Sequence, residues 1–159
     1  MIQKIAGAIL VAIALFITIL NICKPVRVPI ALEKEASFIP TDSIYFQIRD
    51  PLKVFVKNEL ILVPAGFLTD LGSLPRILVP FLPIKEHVFL YPAVLHDYLY
   101  TCPNGRTRKE IDAIFYSFLL ERKASLDSAL IAYWSVRAFG WMHFNTNYQC
   151  MNYLEIKND

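Results

Sequence analysis

The feature that most constrains this chain is a change in hydrophobic period part-way along it. In "SIYFQI" (43–48), "LKVFV" (52–56) and "ELILV" (59–63), short runs are rich in β-branched, aromatic and aliphatic residues, with Lys57–Asn58 as a tight turn between the last two. Such runs bounded by turn residues read as strands. After Pro92 the spacing becomes helical. Ile111, Ile114, Phe115, Phe118 and Leu119 recur every three or four residues, so one face of a helix must find a core. Strands first and helices afterwards define an α+β chain rather than an alternating α/β one. We therefore expect a small antiparallel β meander packed with about three α-helices.

The helix ends are written in the sequence. Pro92 suits a first turn, because its missing N–H is not needed there, and "TCPNG" stops the helix it would open. "TRKE" at Thr107–Glu110 is a capping box, in which hydroxyl and carboxylate satisfy the first backbone donors. Ser125 opens a third helix, "LDSALIAYWSVRAFG", which closes at Gly140. Between strands and helices, "PAGFLTDLGSLPR" has the composition of a loop.

Ahead of all this lies "IAGAILVAIALFITIL" (5–20), without a charge or a proline. A membrane-crossing helix needs about 20 mainly apolar residues, with a lower limit of roughly 17, and Asn21–Cys23 extend the run to that length. A cleaved signal peptide is the competing reading, since Lys4 gives a basic start. The run is longer than a signal core, however, and "LNICKPV" offers no good cleavage site. Ile22 also fits poorly before a lipoprotein cysteine. The expectation is an uncleaved anchor over residues 1–24, a Pro-containing linker over 25–41, and one α+β domain over 42–159. That makes a single-pass protein of a bacterial cell membrane, with the lipid bilayer as partner through residues 5–23. Basic residues on both sides of the run leave its orientation open.

Three cysteines are too few for a disulfide framework. A Cys102–Cys150 bridge and three reduced thiols both stand. The net charge of +2, without a basic cluster interleaved with aromatics, speaks against nucleic acid as a partner. A protein partner stays open.

Unusual polarity is confined to a few short pieces. These are "GFLTDLGSLPR" with Asp70, Ser73 and Arg76; "HDYLY" with His96, Asp97 and Tyr100; "RTRKEID" with Arg106, Arg108 and Asp112; and "HFN" with His143. Neighbours on a helix point about 100° apart, so His96 and Asp97 cannot serve one small ligand equally, whereas Tyr100 shares the face of His96. Two readings follow. In one, the carboxylates are held by basic partners, with Arg108 shared between Asp97 and Asp112, because a buried carboxylate is costly unless paired. In the other, Asp70, His96, Asp97 and Asp112 form a catalytic or metal site, with a set of ligands that suits zinc, manganese or iron. Thr69, Ser73, Arg76, Tyr100 and Arg108 are the candidate binding residues around it. No Gly-x-Ser-x-Gly elbow and no phosphate-binding Gly-rich loop is present. No cofactor is expected under the first reading; a divalent metal belongs to the second.

The segments "VPAGFLTDLGSLPR", "AVLHDYLY", "RTRKEIDAIFYSFL" and "AYWSVRAFGW" resemble, in the same order, those of the phage and prophage family called domain of unknown function 1353. The resemblance covers residues 42 to 141. It implies that the family's polar positions fall on Thr69, Asp70, Ser73, Pro75, Arg76, His96, Asp97, Arg108 and Asp112. It implies no activity. Together with the apolar N-terminus it favours an accessory or envelope protein of phage or prophage type, with a mainly structural or ligand-binding polar network. A metal-dependent hydrolase is the alternative.

Overall fold

The computed structural model describes residues 18, 24–41, 45–70 and 86–144. Its strands are β1 (Ile30–Lys34), β2 (Phe38–Pro40), β3 (Phe46–Ile48), β4 (Leu52–Val56), β5 (Glu59–Val63) and β6 (Leu68–Thr69). The helices are α1 (Glu86–Thr101), α2 (Arg108–Glu121) and α3 (Leu126–Phe139), and a short 3-10 turn follows at Gly140–Met142. The class is α+β, as the change of period requires.

The strands do not form one meander. They form two three-stranded antiparallel sheets, ordered β1-β4-β5 and β2-β3-β6. The break falls between β3 and β4, where the chain bends at Arg49–Asp50 and Pro51 follows. Proline offers no donor with which to continue a ladder. β3 instead turns to the 64–67 corner, with Ile48 N–H donating to the Phe67 carbonyl and Gly66 N–H to the Ile48 carbonyl. β4 and β5 make a two-residue hairpin in which Val56 faces Glu59, and Lys57 takes a φ of 58°.

Residues 25–41, read as a linker, carry β1 and β2. Val28, Ile30 and Leu32 alternate inward and pack, with Phe38, on the core. Both strands lie at sheet edges, which is where Pro40 can be accommodated.

The first core lies between the β1-β4-β5 sheet and the helices. Leu52, Val54, Val56, Ile61 and Val63 meet Leu95, Leu99, Ile111, Ile114 and Phe118. Each such side chain contributes about 1.5–3 kcal/mol when fully buried. A second core joins α2 to α3 through Phe115, Tyr116, Leu119, Leu130, Tyr133 and Val136. α2 is thus the central element, buried on two sides. Its capping box is formed as the sequence requires, with Thr107 accepting from Glu110 N–H and Glu110 accepting from Thr107 N–H. Ser125 caps α3, which ends at Gly140.

α1 differs from expectation at its start. It begins at Glu86, so Pro92 lies inside it rather than in its first turn. The ring leaves the carbonyl four residues earlier, at Val88, without its helical donor.

Among the described residues no helix is long and apolar enough to cross a membrane. α1, α2 and α3 have 16, 14 and 14 residues, below the roughly 17 a span requires, and their apolar faces are spent on the two cores. The expectation of a single-pass protein of the bacterial membrane is corrected accordingly. Residues 5–23, on which it rested, lie outside the described residues.

Candidate functional site: a sealed carboxylate beside a polar pocket

Asp112 sits one turn into α2, on the stripe it shares with Phe115, Tyr116 and Leu119. That stripe faces the second core, and Asp112 is fully buried there. A carboxylate in such a place must be satisfied. Three donors reach it. His96 Nε2 lies 2.9 Å from Oδ1, the Tyr100 hydroxyl donates to the same oxygen at 2.6 Å, and Arg137 Nη1 donates to Oδ2 at 2.8 Å. Burial by itself pushes the Asp112 carboxyl up. The hydrogen bonds from His96, Tyr100 and Arg137 outweigh it and hold the group below the usual carboxylate range. Tyr100 moves the opposite way. Burial raises its phenol far above the ordinary value, and the bonded Asp112 charge adds to this, while nearby Arg108 opposes it.

His96 and Tyr100 are one turn apart on α1, which brings both to Asp112. The imidazole is 2% exposed. Its ring centroid lies 4.0 Å from that of Tyr100 and 4.7 Å from that of Phe115. Gly140 lets this packing close. A Cβ at that position would stand 2.7 Å from the Tyr100 hydroxyl, so the 3-10 turn after α3 can approach Tyr100 only without a side chain.

Asp97, next in sequence, has another environment. It is half-buried and accepts from the buried Thr69 hydroxyl at 2.5 Å. The two-residue β6 thereby docks onto α1. Asp70 follows on the rim and is exposed. A pocket of about 230 Å³ opens here. Thr69, Asp70, Asp97, Tyr45 and His143 line it along with His96 and Tyr100. A larger cleft of about 540 Å³, between residues 25–28, the β4–β5 turn and the start of α2, is lined by neither His nor Asp.

The sequence-based candidates are therefore sorted into two environments. His96, Tyr100 and Asp112 come together in the interior. Thr69, Asp70 and Asp97 meet at the pocket. Ser73 and Arg76 lie outside the described residues. Arg108 is not the partner of Asp97 and Asp112 that the sequence suggested: its Nη1 donates to the carbonyls of Val136 and Arg137, at 3.2 and 3.0 Å, near the end of α3. The cation on Asp112 is Arg137, which sequence reasoning passed over. Its signal was its place four residues after the buried Tyr133, on the inner face of α3, where a cation needs an anion. Among the described residues no group of three or more His, Cys, Asp or Glu side chains is placed to hold a metal. Cys102, at the foot of α1, is buried and disulfide-bonded.

Fold and site together define an α+β protein in which a buried His–Asp–Arg network backs a small polar pocket. A family model matches residues 46–136, more than half of the chain, and the chain belongs to that family, described as Protein of unknown function (DUF1353). No curated protein and no solved structure matches it.

Proposed function

We propose that this chain is a non-catalytic accessory protein of phage or prophage type, in which the Asp112 network is structural and the pocket beside it receives a ligand. The observation that carries the reading is the closure of Asp112. Its two oxygens already hold three donors, one of them a guanidinium. A carboxylate so engaged is poorly disposed to act as a base or to turn to a metal. The network ties together α1 through His96 and Tyr100, α2 through Asp112, and α3 through Arg137. In doing so it positions the pocket wall. Polar side chains converging on a concavity are the usual mark of a binding site.

Denaturant unfolding combined with elemental analysis tests this reading. The purified protein is expected to lose stability on Asp112→Asn or His96→Gln and to carry no stoichiometric metal. One equivalent of zinc or manganese, released by either substitution while the fold persists, would instead make a metal-dependent hydrolase the better account.

A further inference from the structure

The larger cleft, of about 540 Å³, shares no lining residue with the pocket beside Asp112. Residues 25–28, the β4–β5 turn, the connection between α1 and α2, and the first turns of α2 enclose it, with Tyr133 contributed by α3. Its walls are tied together. Val28 N–H donates to Ser117 Oγ on α2 at 2.9 Å, Lys57 N–H donates to the Pro29 carbonyl at 2.7 Å, and Arg106 pairs with Glu59. The concavity is therefore built before any ligand arrives. Its size falls within the range of about 300–1,000 Å³ usual for small-molecule sites.

The lining has an apolar part and a charged part. Val26, Val28, Val56, Ala113 and Ile114 form the apolar surface, and Val26 is 79% exposed. Arg27, Lys57 and Lys109 stand beside it, all exposed. Among the described residues none of the three makes an ion pair or a side-chain hydrogen bond, and Lys57 acts on Glu110 only at a distance. The two acids of the lining are engaged, Glu59 by Arg106 and Glu110 by the Thr107 N–H and hydroxyl. Tyr133 also lines the cleft and is 4% exposed. Its hydroxyl makes no hydrogen bond among the described residues, and it is not one of the sealed atoms, such as His96 Nδ1 and Arg106 Nη1, that a ligand does not reach. A phenolic O–H donates readily to an anion.

We propose that this cleft binds an amphipathic monocarboxylate, with its apolar body on Val28, Val56 and Ile114 and its carboxylate held by Arg27, Lys57 and Lys109. Tyr133 supplies a neutral donor to the same guest. The excess of cations over acids disfavours a positively charged ligand, and a wholly polar anion would leave the apolar surface unused. This site is separate from the pocket of the function proposed above and does not rest on it.

The test is NMR titration of the isotopically labelled full-length protein with octanoate below its micellar concentration. Saturable shifts are expected at the amides of Val26, Val28, Lys57 and Ala113. Butanoate should bind at least about tenfold more weakly, since each buried CH₂ is worth about fourfold in affinity. Octylammonium should produce no saturable shift at the cleft. Arg27→Gln combined with Lys109→Gln should weaken octanoate binding by about fivefold, as expected of exposed charges. Lys34→Gln, on β1 outside the cleft, should leave it unchanged, and Tyr133→Phe should weaken it by a smaller factor than the double change. Octylammonium binding as tightly as octanoate would overturn the role of the cations, and butanoate binding as tightly would overturn that of the apolar surface; either sinks the proposal. So would equal octanoate affinity in the double variant and the unaltered protein. Octanoate shifts confined to the pocket beside Asp112, or no saturable shift at all, would show that the cleft is not a carboxylate site.

Discussion

His96 and Asp97 are consecutive residues of one helix, yet they belong to different chemistry. His96 turns inward to a carboxylate that has no contact with water. Asp97 turns to a threonine on a two-residue strand at the mouth of a pocket. The inner region is closed: three donors, one carboxylate, and the rings of Tyr100 and Phe115 packed on the imidazole. The outer region is open, with Asp70 and Asp97 in its lining. The contrast shows that a His-Asp doublet is not in itself a unit of function. On a helix it marks a seam, with one residue serving the core and the next serving a surface.

The contrast can be broken most severely at Asp112. Asp112→Asn keeps the shape of the side chain, removes the charge that Arg137 and His96 address, and sets an amide N–H₂ against donors. Breaking a buried pair from one side costs about 3–5 kcal/mol, a large share of a total of roughly 5–15 kcal/mol. Urea unfolding should register a loss of that order. The acid limb of the stability profile should change with it. Because the folded-state value of Asp112 lies below the ordinary carboxylate value, its stabilisation is present above the unfolded-state value and is lost as pH falls through the folded-state value. The acid slope should therefore be shallower in Asp112→Asn.

The next effects sharpen the assignment of the cation. Arg137→Ala removes a charge-assisted hydrogen bond of about 1.5–3 kcal/mol. Arg108→Ala removes bonds to two carbonyls and leaves Asp112 paired, so its cost should be smaller than that of Arg137→Ala, which strands a buried carboxylate. A greater loss for Arg108 in thermal melts would restore the pairing suggested by the sequence. Gly140→Ala places a methyl against the Tyr100 hydroxyl and should cost about 1–3 kcal/mol through overpacking. Tyr100→Phe in the Gly140→Ala background should recover part of that. The smallest effect belongs to the open region. Asp97→Asn weakens the half-buried bond that Thr69 donates to it, which should cost about 0.5–1.5 kcal/mol, with its main consequence in ligand binding.

Much of this architecture could be read from the sequence because its causes are local. The capping box at Thr107–Glu110, the Ser125 cap and the Gly140 stop depend on a few neighbouring residues and were legible. So was the divergence of His96 and Asp97, which follows from helix geometry alone. What failed depends on partners distant in sequence. β1 and the residues leading into it alternate as Val28, Ile30 and Leu32, but the flanking prolines and charges obscured this, and the pairing of β1 with β4 is visible only in the fold. Pro92 as an interior helix residue reflects tertiary packing overriding a local preference. Arg137 was passed over in favour of Arg108 because Arg108 lies one turn from Asp112 in the same helix, whereas the actual cation comes from the next one, 25 residues on. The membrane reading failed for another reason: it was drawn from the composition of one terminal run, and the described helices spend their apolar faces inside the protein.

The central claim is that His96 belongs with Asp112 and not with its neighbour Asp97. Two double-mutant cycles measure this directly, using denaturant unfolding of His96→Gln combined with Asp112→Asn and, separately, with Asp97→Asn. Residues sharing a network show interaction energies of about 0.5–3 kcal/mol, and independent ones add to within about 0.5 kcal/mol. The account predicts coupling above about 1 kcal/mol for His96 with Asp112, and near-additivity for His96 with Asp97. Equal coupling in the two cycles, or stronger coupling to Asp97, would contradict it and return the doublet to a single site.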